Sequence, residues 1–158
     1  MVSLPAFLIC SDLSAANSKC TSLDYSKFDK ELTKAEKEFA SSPSGAPSWT
    51  TIGNAFRKIK DCDEGYVSEG LSDLVVKLFA LRWTSSKDYI VSRESDHKFL
   101  DFILKHIDAT ADTTELRLAE SNLKSDCPSS LKGFCSNAIL RADSSLKELG
   151  ATTKAAGK

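Results

Sequence analysis

The stretch DCDEGYVSEGLSDLVVKLFALRW, residues 61–83, decides the fold. From Leu71 onward, Leu71, Leu74, Val75, Leu78 and Phe79 recur at the spacing of one helical face. Val76 and Leu81 fall off that face, so the helix is apolar around much of its circumference. A helix of that kind has to be surrounded by other helices or by a partner chain. Its beginning is the opposite, with Asp61, Asp63, Glu64 and Glu69 crowded into the lead-in. The stretch reads as a buried rod with an acidic mouth, broken from what precedes it at Gly65 and N-capped by Ser68.

Upstream, residues 23–39 place Phe28, Leu32, Ala35 and Phe39 on one face behind an Asp24 N-cap. SSPSGAPS, residues 41–48, is a loop by composition, and its Ser48 is the expected cap of a helix over 49–60 with Trp49, Ile52, Ala55, Phe56 and Ile59 inside. Downstream, TSSKDYIVSRESD, residues 84–96, predicts a polar surface loop with a short helical turn at Tyr89, Ile90 and Val91. Asp96 opens a helix that buries Phe99, Leu100, Ile103 and Ile107. Asp112 and Glu115 form an acidic capping box for a helix to about Asp126, with Leu116, Ala119 and Leu123 inside. After Pro128, Ser129 or Ser130 opens a last helix that buries Leu131, Phe134, Cys135, Ala138, Ala142 and Leu146 and is capped by Gly150. No alternating strand pattern occurs. These segments predict an all-α protein, a compact bundle of five to six antiparallel helices whose hairpins could stack in a HEAT-like way. The domain spans residues 21–150, between a signal-like or flexible segment 1–20 and a disordered tail 151–158.

A chain of 158 residues fits one domain, and 41% hydrophobic residues suffices for an ordinary core. Lys+Arg 21 against Asp+Glu 22 gives a net charge of -1, which supplies no electrostatic reason for a nucleic-acid partner or a polybasic membrane contact. No apolar run is long enough for membrane insertion as a helix. The N-terminal run Val2, Leu4, Ala6, Phe7, Leu8, Ile9, followed by Ser14, Ala15 and Ala16, has the hydrophobic and cleavage-site features of a secretory signal. Its first basic residue, however, is Lys19, and Asp12 interrupts the path to the cleavage site. Removing a signal that contains Cys10 would leave the even set Cys20, Cys62, Cys127 and Cys135, for which three pairings exist. Cys127 and Cys135 flank a Pro-Ser-Ser turn and could clip a helix hairpin, which would leave Cys20 and Cys62 to tie the N-terminal arm to the central stretch. In a reducing cytosol all would instead be small buried apolar residues.

Motifs that carry chemistry are scarce. His97 and His106 are too far apart for a zinc helix motif, and no metal or cofactor is expected. His106 reads as a helix-end residue facing the C-terminal dipole. Asp61, Asp63 and Gly65 resemble a calcium loop only faintly, since Tyr66 and Ser72 stand where its glycine and glutamate belong. There is no G-x-S-x-G elbow and no glycine-rich phosphate loop, and a Cys62–His106 dyad has no supporting local motif. Recognition through a surface remains, with no catalytic residue. Asp63, Glu64, Tyr66, Glu69 and Asp73 would present a partly aromatic acidic patch at the start of the central helix. Trp49 and Trp83 are either core residues or interface anchors.

Read jointly, DCDEGYVSEGLSDLVVKLFALRW, then DHKFLDFILKHIDATAD, then CPSSLKGFC resemble the immunity proteins that neutralise type VI secretion peptidoglycan amidases of the fourth class. These are small exported all-helical bacterial proteins, and the resemblance spans residues 49–138. It implies a periplasmic homodimer that blocks the active-site cleft of a papain-like cysteine amidase with a helix and a protruding loop. The matching positions here are residues 66–73 and the polar stretch 84–96. The alternative is a cytoplasmic structural or adaptor module with no toxin partner.

Overall fold

The computed structural model describes Cys20 and residues 23–156. The signal-like reading of residues 1–20, including Cys10 and Ser14 to Ala16, falls outside the described residues except at Cys20, and so do the last two residues of the predicted tail. The helices are α1 (Tyr25–Phe39), α2 (Ala46–Ile59), α3 (Gly65–Leu81), α4 (Trp83–Val91), α5 (His97–Lys105), α6 (Thr113–Ser125) and α7 (Lys132–Ala156), with a 3-10 turn at Ser129–Leu131. The described residues contain no strand. The protein is therefore an all-α bundle, with seven helices among the described residues where five to six were expected.

The seventh comes from the centre of the chain. The rod reaches Leu81, and Trp83 opens a separate helix instead of ending α3. Neither glycine nor proline marks this break, and its causes are distant in sequence. Asn122 Nδ2 donates to the Phe79 and Ala80 carbonyls at 2.8 and 2.9 Å, and Ser86 Oγ donates to the Leu78 carbonyl at 3.1 Å. Side chains thus take up the Phe79 and Ala80 carbonyls and share the Leu78 carbonyl with the Arg82 N–H, which closes the last turn of α3. Arg82, at the break, donates to the Ser42 and Phe39 carbonyls and lies over the Phe39 ring, 4.9 Å from its centroid. Residues 84–91, expected as a polar loop with a short helical turn only at Tyr89, Ile90 and Val91, all belong to α4, and Ile90 enters the core.

Caps account for several other boundaries. Asp24, Asp96 and Asp112 accept from backbone N–H groups at the starts of α1, α5 and α6. Ser48 does not cap α2. That helix begins two residues earlier, behind Gly45 at φ 64°, with Pro47 in its first turn and Ser48 buried. A Cβ at Gly45 would run into Leu78, so the glycine both turns the chain and lets it approach α3. Gly65, at φ 59°, starts α3 three residues before the expected Ser68 cap. At the other end, α7 continues through Gly150 to Ala156, so the glycine does not stop it and residues 151–156 of the predicted tail are helical.

α3 packs against α1, α2, α4 and α6, and α7 closes the bundle against α5 and α6. Leu71, Leu74, Val75, Val76, Leu78 and Phe79 are all wholly buried, as a helix apolar on nearly every side requires. Around Phe79 the core is aromatic, with ring centroids of Trp49, Trp83 and Phe134 at 6.1, 5.7 and 6.2 Å. Trp49 also stacks on Tyr89 at 4.6 Å. Both tryptophans are therefore core residues. Two disulfides complete the fold. Cys20–Cys62 fastens the chain before α1 to the turn before α3, and Cys127–Cys135 clips the α6–α7 connection. Such bonds form and persist in an oxidising compartment.

Candidate functional site

The turn between α2 and α3 has an outside and an inside. On the outside, Glu64, Tyr66 and Glu69 are exposed, and Tyr66 keeps 53% of its surface in solvent, unusual for a ring beside a packed core. Glu64, the N-cap of α3, sits at the positive end of the helix dipole, where negative charge is favoured. Asp73, one turn further along, is half-buried and paired with Lys77 at 2.5 Å, so its charge is largely matched within the helix. Asp63 does not belong to the exposed face at all. Its side chain is 2% exposed and points inward, which removes it from the contact surface the sequence suggested.

Inside, Asp63 Oδ1 accepts from Lys105 Nζ at 2.6 Å, and its Oδ2 lies 2.9 Å from His106 Nε2. The imidazole N–H does not point squarely along that line, yet neither atom has another partner, so each depends on the other. Burial by itself would raise the Asp63 carboxyl. The His106 and Lys105 contacts outweigh it and hold the group below the ordinary carboxylate value. His106 is wholly buried at the C-terminus of α5, with the edge of its ring against Phe102. Its Nδ1 lies 3.2 Å from Ser72 Oγ, which in turn donates to Asp108 Oδ2 at 2.7 Å and lies 3.0 Å from the Ser68 carbonyl. One polar thread thus joins the turn, α3, and the chain after α5.

The expected helix-end position of His106 is correct, but its side chain faces a carboxylate rather than the dipole. A Cys62–His106 dyad is ruled out, because Cys62 is held in a disulfide. The order Asp63, His106, Ser72 has the composition of a hydrolytic triad. Its hydroxyl, however, is sealed in the core and committed to Asp108, and neither Ser72 nor His106 lines the surface clefts of about 850, 360 and 260 Å³. The thread can hold protons and fix geometry; a substrate has no path to it in this conformation. Among the described residues, no group of three or more His, Cys, Asp or Glu side chains is placed to hold a metal ion. No helix among them is long and apolar enough to cross a membrane.

Beside the turn lies the 360 Å³ cleft, with Phe56 and Phe102 among its walls and Lys60, Lys98 and Lys105 around it. The stretch 84–96, expected to protrude as a second contact loop, is instead α4 and a short turn in which Arg93 covers the Tyr89 and Phe99 rings. Sequence reasoning missed Ser72, Lys105, His106 and Asp108 as a connected set. The available signal was a single histidine following an apolar helix and flanked by Lys105 and Asp108. No family model, curated protein or solved structure matches the chain.

Proposed function

We propose that this protein is a non-enzymatic immunity protein that binds a secreted papain-like peptidoglycan amidase and covers its active-site cleft, protecting the producing bacterium. The observation that carries the reading is the exposed Tyr66 between Glu64 and Glu69, on a turn held by the Cys20–Cys62 bond and the buried Asp63 pair. A rigid aromatic group with a charged rim contributes contact area without a large ordering cost, which is what a tight inhibitory contact needs. In this reading α3 is the inhibitory helix, entering the cleft by its N-terminal end. The two disulfides fit a periplasmic site of action, and the working form is a homodimer, as the family resemblance implies.

The test is to direct the cognate amidase to the periplasm of a host with and without this protein. Lysis should be suppressed by the intact chain. Tyr66→Ala should weaken binding by about 2 kcal/mol, the size of an interface hot spot, measured by calorimetry on purified partners. Lysis that continues unchanged in the presence of the folded, oxidised protein would refute the inhibitor reading and favour an adaptor without a toxin partner.

A further inference from the structure

The turn that carries Tyr66 is too small to be a whole interface. A stable complex buries about 800 Å² on each partner, roughly 20–30 residues a side, whereas the exposed part of the turn is Glu64, Tyr66 and Glu69. Whatever covers these residues therefore covers neighbouring surface as well. The adjoining concavity is the 360 Å³ cleft between the C-terminal end of α2 and the exposed face of α5. Two of its lining residues join it to the turn. Asp61 stands two positions before Asp63, and Lys105 donates to Asp63 Oδ1 at 2.6 Å.

Across that boundary the sign of the charge changes. α2 carries no acidic residue, and its C-terminal end brings Arg57 and Lys60 to the side of Phe56. Lys60 Nζ lies 5.1 Å from the centroid of the Phe56 ring, and Arg57 bonds to the neutral side chain of Asn54. On α5, Lys98, Asp101, Phe102 and Lys105 are spaced by whole helical turns and share the face that lines the cleft. Lys105 is matched by Asp63. Among the described residues, neither Lys60 nor Lys98 has a carboxylate within ion-pair distance. Asp61 has contacts of its own, and Asp101 stands one turn from both Lys98 and Lys105. Arg57, Lys60, Lys98 and Lys105 thus outweigh Asp61, Asp63 and Asp101 around the cleft. Below them the half-buried Phe56 ring meets the edge of Phe102, with centroids 5.5 Å apart. An apolar floor beneath unmatched ammonium groups complements an apolar side chain flanked by carboxylates.

We propose that this cleft is the second half of the same contact and takes an acidic segment of the amidase, with one apolar side chain seated on Phe56 and Phe102. The matching surface of the amidase is then two-signed, basic against Glu64 and Glu69 and acidic against Lys60 and Lys98. This rests on the reading that the turn binds the amidase, and it adds which surface binds beside the turn and by what chemistry.

The experiment uses the full oxidised chain and follows its association with the cognate amidase by stopped flow at several ionic strengths. Lys60→Glu combined with Lys98→Glu alters two exposed side chains and should slow association about tenfold at low salt, the difference narrowing as salt is raised. Lys132→Glu combined with Arg141→Glu makes the same change in net charge on the exposed side of α7 and should leave the rate unchanged. Carbodiimide treatment of the unaltered complex, which joins an amine to a carboxylate in contact with it, should link Lys60 or Lys98 to an aspartate or glutamate of the amidase. If the unaltered chain binds and both paired variants associate at its rate, this inference is overturned and the inhibitor reading stands. Absence of binding by the unaltered chain overturns both. Links from Lys60 and Lys98 to a second copy of this chain alone would assign the cleft to a contact between copies and overturn the inference as well.

Discussion

The two ends of α3 are held by different physics. At its C-terminal half, Phe79 lies among Trp49, Trp83 and Phe134, an apolar environment whose contribution grows with the area removed from water. At its N-terminal half the same helix buries a serine hydroxyl, an imidazole and a carboxylate, groups that cost free energy unless every partner is in place. The aromatic end tolerates small shifts and mainly supplies stability. The polar end supplies less, but its bonds are directional and admit few alternative arrangements. The exposed Tyr66 and the acids beside it rise from that second end. The face proposed for recognition thus sits where the structure is most sharply specified rather than where it is most strongly held.

The largest effect should come from breaking the aromatic end. Phe79→Ala would remove a wholly buried ring and cost about 4 kcal/mol of unfolding free energy. A urea titration should show it as a lowered midpoint, with amides throughout the bundle losing protection together. A variant whose turn residues 62–66 loosen first while the remaining amides hold would contradict this division of labour.

Breaking the polar end should cost somewhat less and act locally. Asp63→Ala leaves His106 and Lys105 without their carboxylate, worth about 3 kcal/mol. It also has a pH signature. The fold holds this carboxyl below its ordinary value, so the folded state binds its proton less readily than the unfolded chain does. The contribution is therefore fully present above the ordinary aspartate value of about 3.9 and is lost as pH falls through the lower, folded value. Urea midpoints measured down through the acid range should fall less steeply in Asp63→Ala than in the unaltered protein. Equal slopes would show that Asp63 is not the group being titrated.

The same contrast explains what could be read from the sequence. The apolar half of α3 was legible because its residues recur every turn, and the three aspartate caps were legible because capping is local. The end of α3 was not, since Asn122 and Ser42, about forty residues away on either side, set it through bonds that no local window contains. The extra helix α4 followed from that miss. The candidate site divided in the same way. Glu64, Tyr66 and Glu69 carry their exposure in a polar local context, whereas Asp63 looks identical in sequence and is turned inward only by His106 and Lys105, more than forty positions on. An acidic cluster was visible; which of its members faces the solvent is a tertiary property.

Between the two ends, α6 brings one more charge against α3, and it gives the finest test. Burial raises the Glu115 carboxyl above its ordinary value; Lys77 opposes the shift, while Asp73 and Asp112 add to it. One carboxylate oxygen of Glu115 is buried without a hydrogen-bond partner. With the folded value above the unfolded one, stability is greatest below the ordinary glutamate value and declines as pH rises through the folded value. This is opposite in sign to the Asp63 effect. At neutral pH the penalty is fully in force, so Glu115→Gln should stabilise the protein by about 0.5 kcal/mol, a modest figure because the side chain keeps some contact with water. A small rise in urea midpoint at neutral pH, absent in acid, is the expected result. A loss of stability at neutral pH would instead mean that the Lys77 attraction outweighs burial, and that the charge tolerated at the polar end extends along α3 to the middle of the bundle.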